Sequence, residues 1–76
     1  MKMHERIRNY IESHGMKLNF VAERSGIKPG RFYRLINGDA PLTTDEYEII
    51  CKGLSVKPSY FFEEVFLDPK KYSEVG

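Results

Sequence analysis

The stretch AERSGIKPGRFYRLING, residues 22–38, carries three arginines and a lysine around two glycines placed to end helices, Gly26 and Gly38. An apolar residue recurs every few positions, and the spacing predicts two short helices about a tight turn. The first covers Leu18 to Ser25, puts Leu18, Val21 and Ala22 inward, and stops at Gly26. The second opens at Pro29, because a first helical turn has no use for that N–H, and runs to about Ile36, where Asn37-Gly38 closes it. Ala22 is small enough for the two helices to approach, Gly26 takes the strained turn conformation, and Ile27, Phe32 and Leu35 pin the second helix to a core. Lys28, Gly30, Arg31, Tyr33 and Arg34 are left facing outward, so the exposed face is cationic.

Upstream, Met3, Ile7, Tyr10 and Ile11 follow the i, i+4, i+7, i+8 spacing of one helical face, with Glu5, Arg8, Asn9 and Glu12 on the other, and Gly15 ends this helix. Downstream, Thr43-Thr44-Asp45-Glu46 is a capping box in which Thr43 caps and Glu46 reaches back. Tyr47, Ile50, Cys51 and Leu54 then form a buried stripe. Pro58 restarts the chain, and Tyr60, Phe61, Phe62, Val65 and Phe66 predict an aromatic-rich fifth helix with Phe61 and Val65 in the core. No strand pattern competes. The expected fold is all-α: a compact five-helix bundle over residues 1–67, followed by a loose tail over 68–76.

At 76 residues the chain has room for one core of modest size. A net charge of +1 conceals an asymmetry. Residues 1–38 hold eight Lys or Arg against three Glu, or +5, and residues 39–76 hold four Lys against eight Asp or Glu, or −4. A basic half beside an acidic remainder suits a polyanionic partner. No apolar run approaches the roughly 18 residues of a membrane span, no secretory region opens the chain, and the single cysteine cannot form an internal disulfide. A cytoplasmic location and no membrane partner are the expectation.

Catalysis has no visible machinery. Cys51 lacks a His or acid partner at a useful helical spacing and reads as a small core residue. His4 and His14 are ten residues apart with no ligating companions, and Glu63-Glu64 forms no paired-carboxylate site. Neither an enzyme nor a metal or other cofactor is expected.

The build of residues 18–36 is that of a helix-turn-helix. An α-helix fits the major groove of B-DNA, where an arginine can donate two hydrogen bonds to guanine O6 and N7. The sequence resembles the lambda-repressor-like (Xre/Cro) DNA-binding domains over roughly residues 4–66. The shared positions are Ala22, Gly26-Ile27, Phe32, Leu35, Arg34 and Asn37-Gly38, with the later LSVKPSYFF matching the family's fourth-to-fifth helix junction. The resemblance implies a sequence-specific, repressor-like transcriptional regulator, bacterial or phage, that reads double-stranded DNA at a pseudo-palindromic operator with its third helix. It also implies a DNA-contacting set of Lys17, Asn19, Lys28, Gly30, Arg31, Tyr33, Arg34 and Asn37. Three positions depart from the family pattern. Leu18 stands where a phosphate-bracing Gln is usual, Gly30 where a base-reaching side chain is common, and Ile11 with Ile36 where many members hold an Arg–Glu pair. The paired apolar change is a coherent substitution, so Ile11 and Ile36 are expected to meet in the core. Phe62, Phe66 and Leu67, left over once the core is assigned, suggest a homodimer through helix five and the tail. The alternative reading is a protein interaction module of the same fold, such as an antitoxin-like partner binder, with weak or no DNA affinity.

Overall fold

A computed structural model describes residues 1–63. Among them the order is α1 (Met3–Ser13), α2 (Leu18–Ser25), α3 (Pro29–Ile36), α4 (Thr44–Gly53) and a single 3-10 turn, Tyr60–Phe62. The described chain is all-helical, as the apolar spacing predicts, and α2 and α3 have the expected bounds. The expected five-helix count does not hold. Where a fifth helix is predicted, the described residues make one 3-10 turn, and Glu63 returns to an extended backbone. Three adjacent aromatics at Tyr60–Phe62 supply burial without a helical stripe: Phe61 is fully buried while Phe62 is 62% exposed. Val65, Phe66, Leu67 and the tail at 68–76 lie outside the described residues.

The core collects one or more residues from every element. Ile7 and Ile11 come from α1, Val21 and Ala22 from α2, Phe32, Leu35 and Ile36 from α3, and Ile50 and Cys51 from α4, with Ile27, Ala40, Leu54 and Phe61 between and after them. Ile11 and Ile36 are 0% and 1% exposed in that one cluster, where α1 packs on α3. Burial pushes the Cys51 thiol above its ordinary pKa, the opposite of a nucleophile's poise. Leu18, Met16, Tyr10 and Tyr47 pack partly buried against the cluster's edge.

One hydrogen-bond pattern closes all four helices. At the end of α2 the Gly26 N–H donates to the Glu23 carbonyl at 3.1 Å and the Ile27 N–H to the Ala22 carbonyl at 3.0 Å, the paired bonds of a Schellman motif. Gly26 adopts φ 74°, which swings Ile27 into the core and starts α3 at once. Equivalent pairs close α1 at Gly15-Met16, α3 at Gly38-Asp39 and α4 at Ser55-Val56. The last is the exception, because Ser55 takes φ 61° with a side chain. A left-handed L-residue costs about 1–2 kcal/mol, partly offset by the lower chain entropy of a non-glycine. Ser55→Gly is therefore expected to stabilise the fold by about 0.5–1 kcal/mol. Thermal or urea unfolding checks this, and an unchanged or lowered midpoint contradicts it.

α2 and α4 approach each other tightly at Gly53. A Cβ built there would lie 2.5 Å from Ser25 Oγ and 3.1 Å from the Ser25 backbone nitrogen. Beside it, Arg24 Nε donates to the Gly53 carbonyl at 2.8 Å, satisfying a group at the end of α4. Ser25 Oγ donates back to Val21 O at 2.8 Å, so this buried hydroxyl is satisfied. The helix-turn-helix is thereby tied to α4 through α2, and Gly30, Tyr33 and Arg34 on α3 stay exposed among the described residues.

Candidate nucleic-acid interface

The sequence Pro29–Ile36 forms α3 with Phe32, Leu35 and Ile36 buried, which forces Gly30, Tyr33 and Arg34 outward. No acidic side chain occurs in the helix. Its N-cap is Lys28, which has no side-chain acceptor and makes no cap hydrogen bond, so the first-turn N–H groups are uncapped by a side chain. Gly30 occupies the second position with open space where a Cβ would be. Nothing among the described residues therefore requires a glycine there.

Lys17, the N-cap of α2, and Asn19 in its first turn are both exposed. The Tyr33 hydroxyl donates to Asn19 Oδ1, tying the middle of α3 to the start of α2. At the far end, Asn37 caps α3 and its Oδ1 accepts from Arg8 Nη1 at 2.6 Å, while Arg8 Nε also pairs with Glu12 at 3.2 Å. Seven of the eight sequence-predicted site residues are exposed: Lys17, Asn19, Lys28, Gly30, Tyr33, Arg34 and Asn37. The Arg34 side chain makes no hydrogen bond or ion pair with any other described residue.

Arg31 differs from the others. Its side chain is 40% exposed rather than fully outward, because a carboxylate from α4 holds it. Arg31 Nε donates to Glu46 Oε2 at 2.9 Å and Nη2 to Oε1 at 3.1 Å, a two-bond fork. The same carboxylate accepts the Thr43 N–H at 3.2 Å and the Thr43 hydroxyl at 3.0 Å, and the Glu46 N–H returns to Thr43 Oγ1 at 3.1 Å. The Arg31 hydrogen bonds, reinforced by those from Thr43, hold the Glu46 carboxyl down at a pKa of about 2. Arg31 is correspondingly raised, first by its hydrogen bond to Glu46.

Glu46 and Arg8 are the residues at this face that sequence reasoning missed. Glu46 was legible only as half of a capping box, a role it does fill. Its partner lies 15 residues away across a helix end and a loop, a separation that no helical or strand period marks. Arg8 likewise sits on the polar face of α1, where its reach to Asn37 depends on how α1 crosses α3.

Elsewhere the candidate sites raised by single residues are accounted for by packing. His14 stacks on Tyr10 with ring centroids 3.9 Å apart, and His4 lies against Gly38, where a Cβ would come within 2.6 Å of its ring. Among the described residues no group of three or more His, Cys, Asp or Glu is placed to hold a metal, and no helix is long and apolar enough to cross a membrane.

Comparison with known proteins agrees with the geometry. Searches of curated proteins and of solved structures return no match. A family model for the Cro/C1-type helix-turn-helix DNA-binding domain, however, matches residues 6–64, which contain all four helices from the first turn of α1 onward. The match covers most of the chain and includes every element that builds the cationic face, and the protein belongs to the Cro/C1-type helix-turn-helix DNA-binding domain family.

Proposed function

We propose that the protein is a sequence-specific, repressor-like transcriptional regulator that reads the major groove with α3. The observation that carries this reading is the exposed face of α3 itself: Lys28, Gly30, Tyr33 and Arg34 project outward with no acid on the helix and no described partner for Arg34. Arg34 supplies a guanidinium with no partner among the described residues, suited to base edges, and Gly30 lets the helix backbone approach the duplex closely. Lys17, Lys28, Asn19 and Asn37 flank α3 at positions suited to phosphates, which fix register without reading sequence. Regulation follows by occupying a promoter.

A second copy of the chain joins the reading through Phe62. This ring is 62% exposed beside Tyr47, at the edge of an apolar groove lined by Met3, Leu42, Pro58 and Phe62. Two domains paired there would set two α3 helices about 34 Å apart on a pseudo-palindromic operator.

Random-sequence selection at moderate salt, followed by titration of the parent, Arg34→Ala and Lys17→Ala on selected and random duplexes, tests both parts. Arg34→Ala is expected to cost about 1–3 kcal/mol on the selected site and much less on random DNA. Lys17→Ala is expected to weaken both about equally and to flatten the salt slope by about one unit. Two chains per selected duplex are expected by sedimentation. No salt-dependent retention on any duplex would transfer the case to the interaction-module reading, and one chain per duplex would remove the dimer.

A further inference from the structure

We propose that Glu46 is a positioning residue for base recognition: its carboxylate grips one side of the Arg31 guanidinium and presents the other edge of that plane to a guanine. The inference rests on the reading of α3 as the major-groove helix, and extends it to a residue on a different helix.

A guanidinium offers five N–H donors in a flat fork. Glu46 takes the Nε side, using the Nε–H at 2.9 Å and one Nη2 N–H at 3.1 Å. Among the described residues three of its N–H groups are left without a partner. Two of them, one on Nη1 and one on Nη2, lie parallel at the end of the fork, the arrangement that matches guanine O6 and N7. The grip thus leaves the base-reading edge unspent.

The carboxylate doing this is itself immobilised. Oε1 accepts the Thr43 N–H and hydroxyl as well as Arg31, in a capping box locked to the first turn of α4. Arg31 stands in the first turn of α3, the part of the helix closest to base edges in this mode of docking. A second consequence is electrostatic. Pairing cancels most of the Arg31 charge as seen by the phosphate backbone, while hydrogen bonding from the free edge survives. Glu46 therefore turns Arg31 from a phosphate-seeking cation into a base reader, at the expense of sequence-independent affinity.

The test compares the parent with Glu46→Gln, Arg31→Ala, Arg31→Lys and Arg34→Ala on the parent's selected duplex, on random duplex, and on selected duplexes carrying 7-deazaguanine at one guanine at a time. Glutamine retains the capping-box role at this position, so the variant keeps α4, and circular dichroism at the binding temperature verifies it. Arg31→Ala is expected to weaken the selected site by roughly 5- to 150-fold. Glu46→Gln is expected to weaken it by several-fold or more while random DNA binds as well or better, because a negative charge has been removed. The guanine whose 7-deaza penalty disappears in Arg31→Ala should be the same one in Glu46→Gln. Arg31→Lys, which keeps charge and loses the fork, should behave like Arg31→Ala on the selected site and like the parent on random DNA. If Glu46→Gln changes both duplexes equally or neither, the pair is only a clamp between α3 and α4 and the proposal is overturned. Loss of discrimination in Arg34→Ala alone would leave α3 as the reader without Glu46. Unchanged discrimination in every arginine variant would remove α3 as the reader altogether.

Discussion

Ile36→Glu is expected to remove about 3–5 kcal/mol of folding stability, the range for a buried charge left without its partner. Ile36 is 1% exposed at the end of α3, in the cluster that holds the fully buried Ile11 and Ile7 of α1. The cationic side chain on the adjoining face of α1, Arg8, is already bonded to Glu12 and Asn37. A domain of this size has a total stability of about 4–11 kcal/mol, so the variant is expected to be largely unfolded or close to it. Burial raises the new carboxyl above its unfolded value. The variant therefore comes closest to the parent below pH ~4, and it falls away as pH rises from the unfolded carboxyl pKa up through the raised folded one. Adding Ile11→Arg should restore part of the loss by giving the buried carboxylate a cationic partner from α1. Urea unfolding at pH 4 and pH 7 measures all of this. A cost within about 0.5 kcal/mol would show that position 36 is surface-like and that the apolar pair does not replace the charged one.

Phe61→Ala is expected to cost about 3–5 kcal/mol, and Phe62→Ala no more than about 0.5 kcal/mol. The two rings are neighbours in the same 3-10 turn, which makes the contrast informative. Phe61 is fully buried, with its ring edge-on to Tyr10 at 5.6 Å and Tyr60 at 5.2 Å and a longer approach to Tyr47 at 6.4 Å. Its carbonyl also accepts Arg6 Nη1 at 2.9 Å, so the backbone there is tied to α1. Truncation would leave a cavity between α1 and the turn that these short elements can fill only by shifting. Among the described residues the Phe62 ring has one aromatic neighbour, Tyr47 at 5.7 Å, and it is mostly in solvent. Equal losses in the two variants would mean that the turn contributes as a unit and that Phe61 is not the anchor. A loss in Phe62→Ala that appears only at high protein concentration would instead support the paired state.

What the amino-acid order determined by itself is the local part of the fold. Helix bounds follow from Pro29, Gly15, Gly26, Gly38 and the Thr43–Glu46 box because capping, φ preference and a missing N–H act within three or four residues. The inward stripe of each helix follows from its period, and with it the outward set on α3. Tertiary structure decided the rest. Tyr60–Phe62 forms a single turn whose Phe61 ring packs on Tyr10 of α1, a contact between residues 51 positions apart that no local spacing marks. Gly53 matters because α4 lies against the Ser25 backbone, which no property of a glycine in a helix announces. Arg31 and Glu46 are each locally unremarkable, one an outward cation and the other a cap. They meet only because the loop after Gly38 returns the start of α4 to the start of α3, and pairings of that kind are set by packing, which has no period in the sequence.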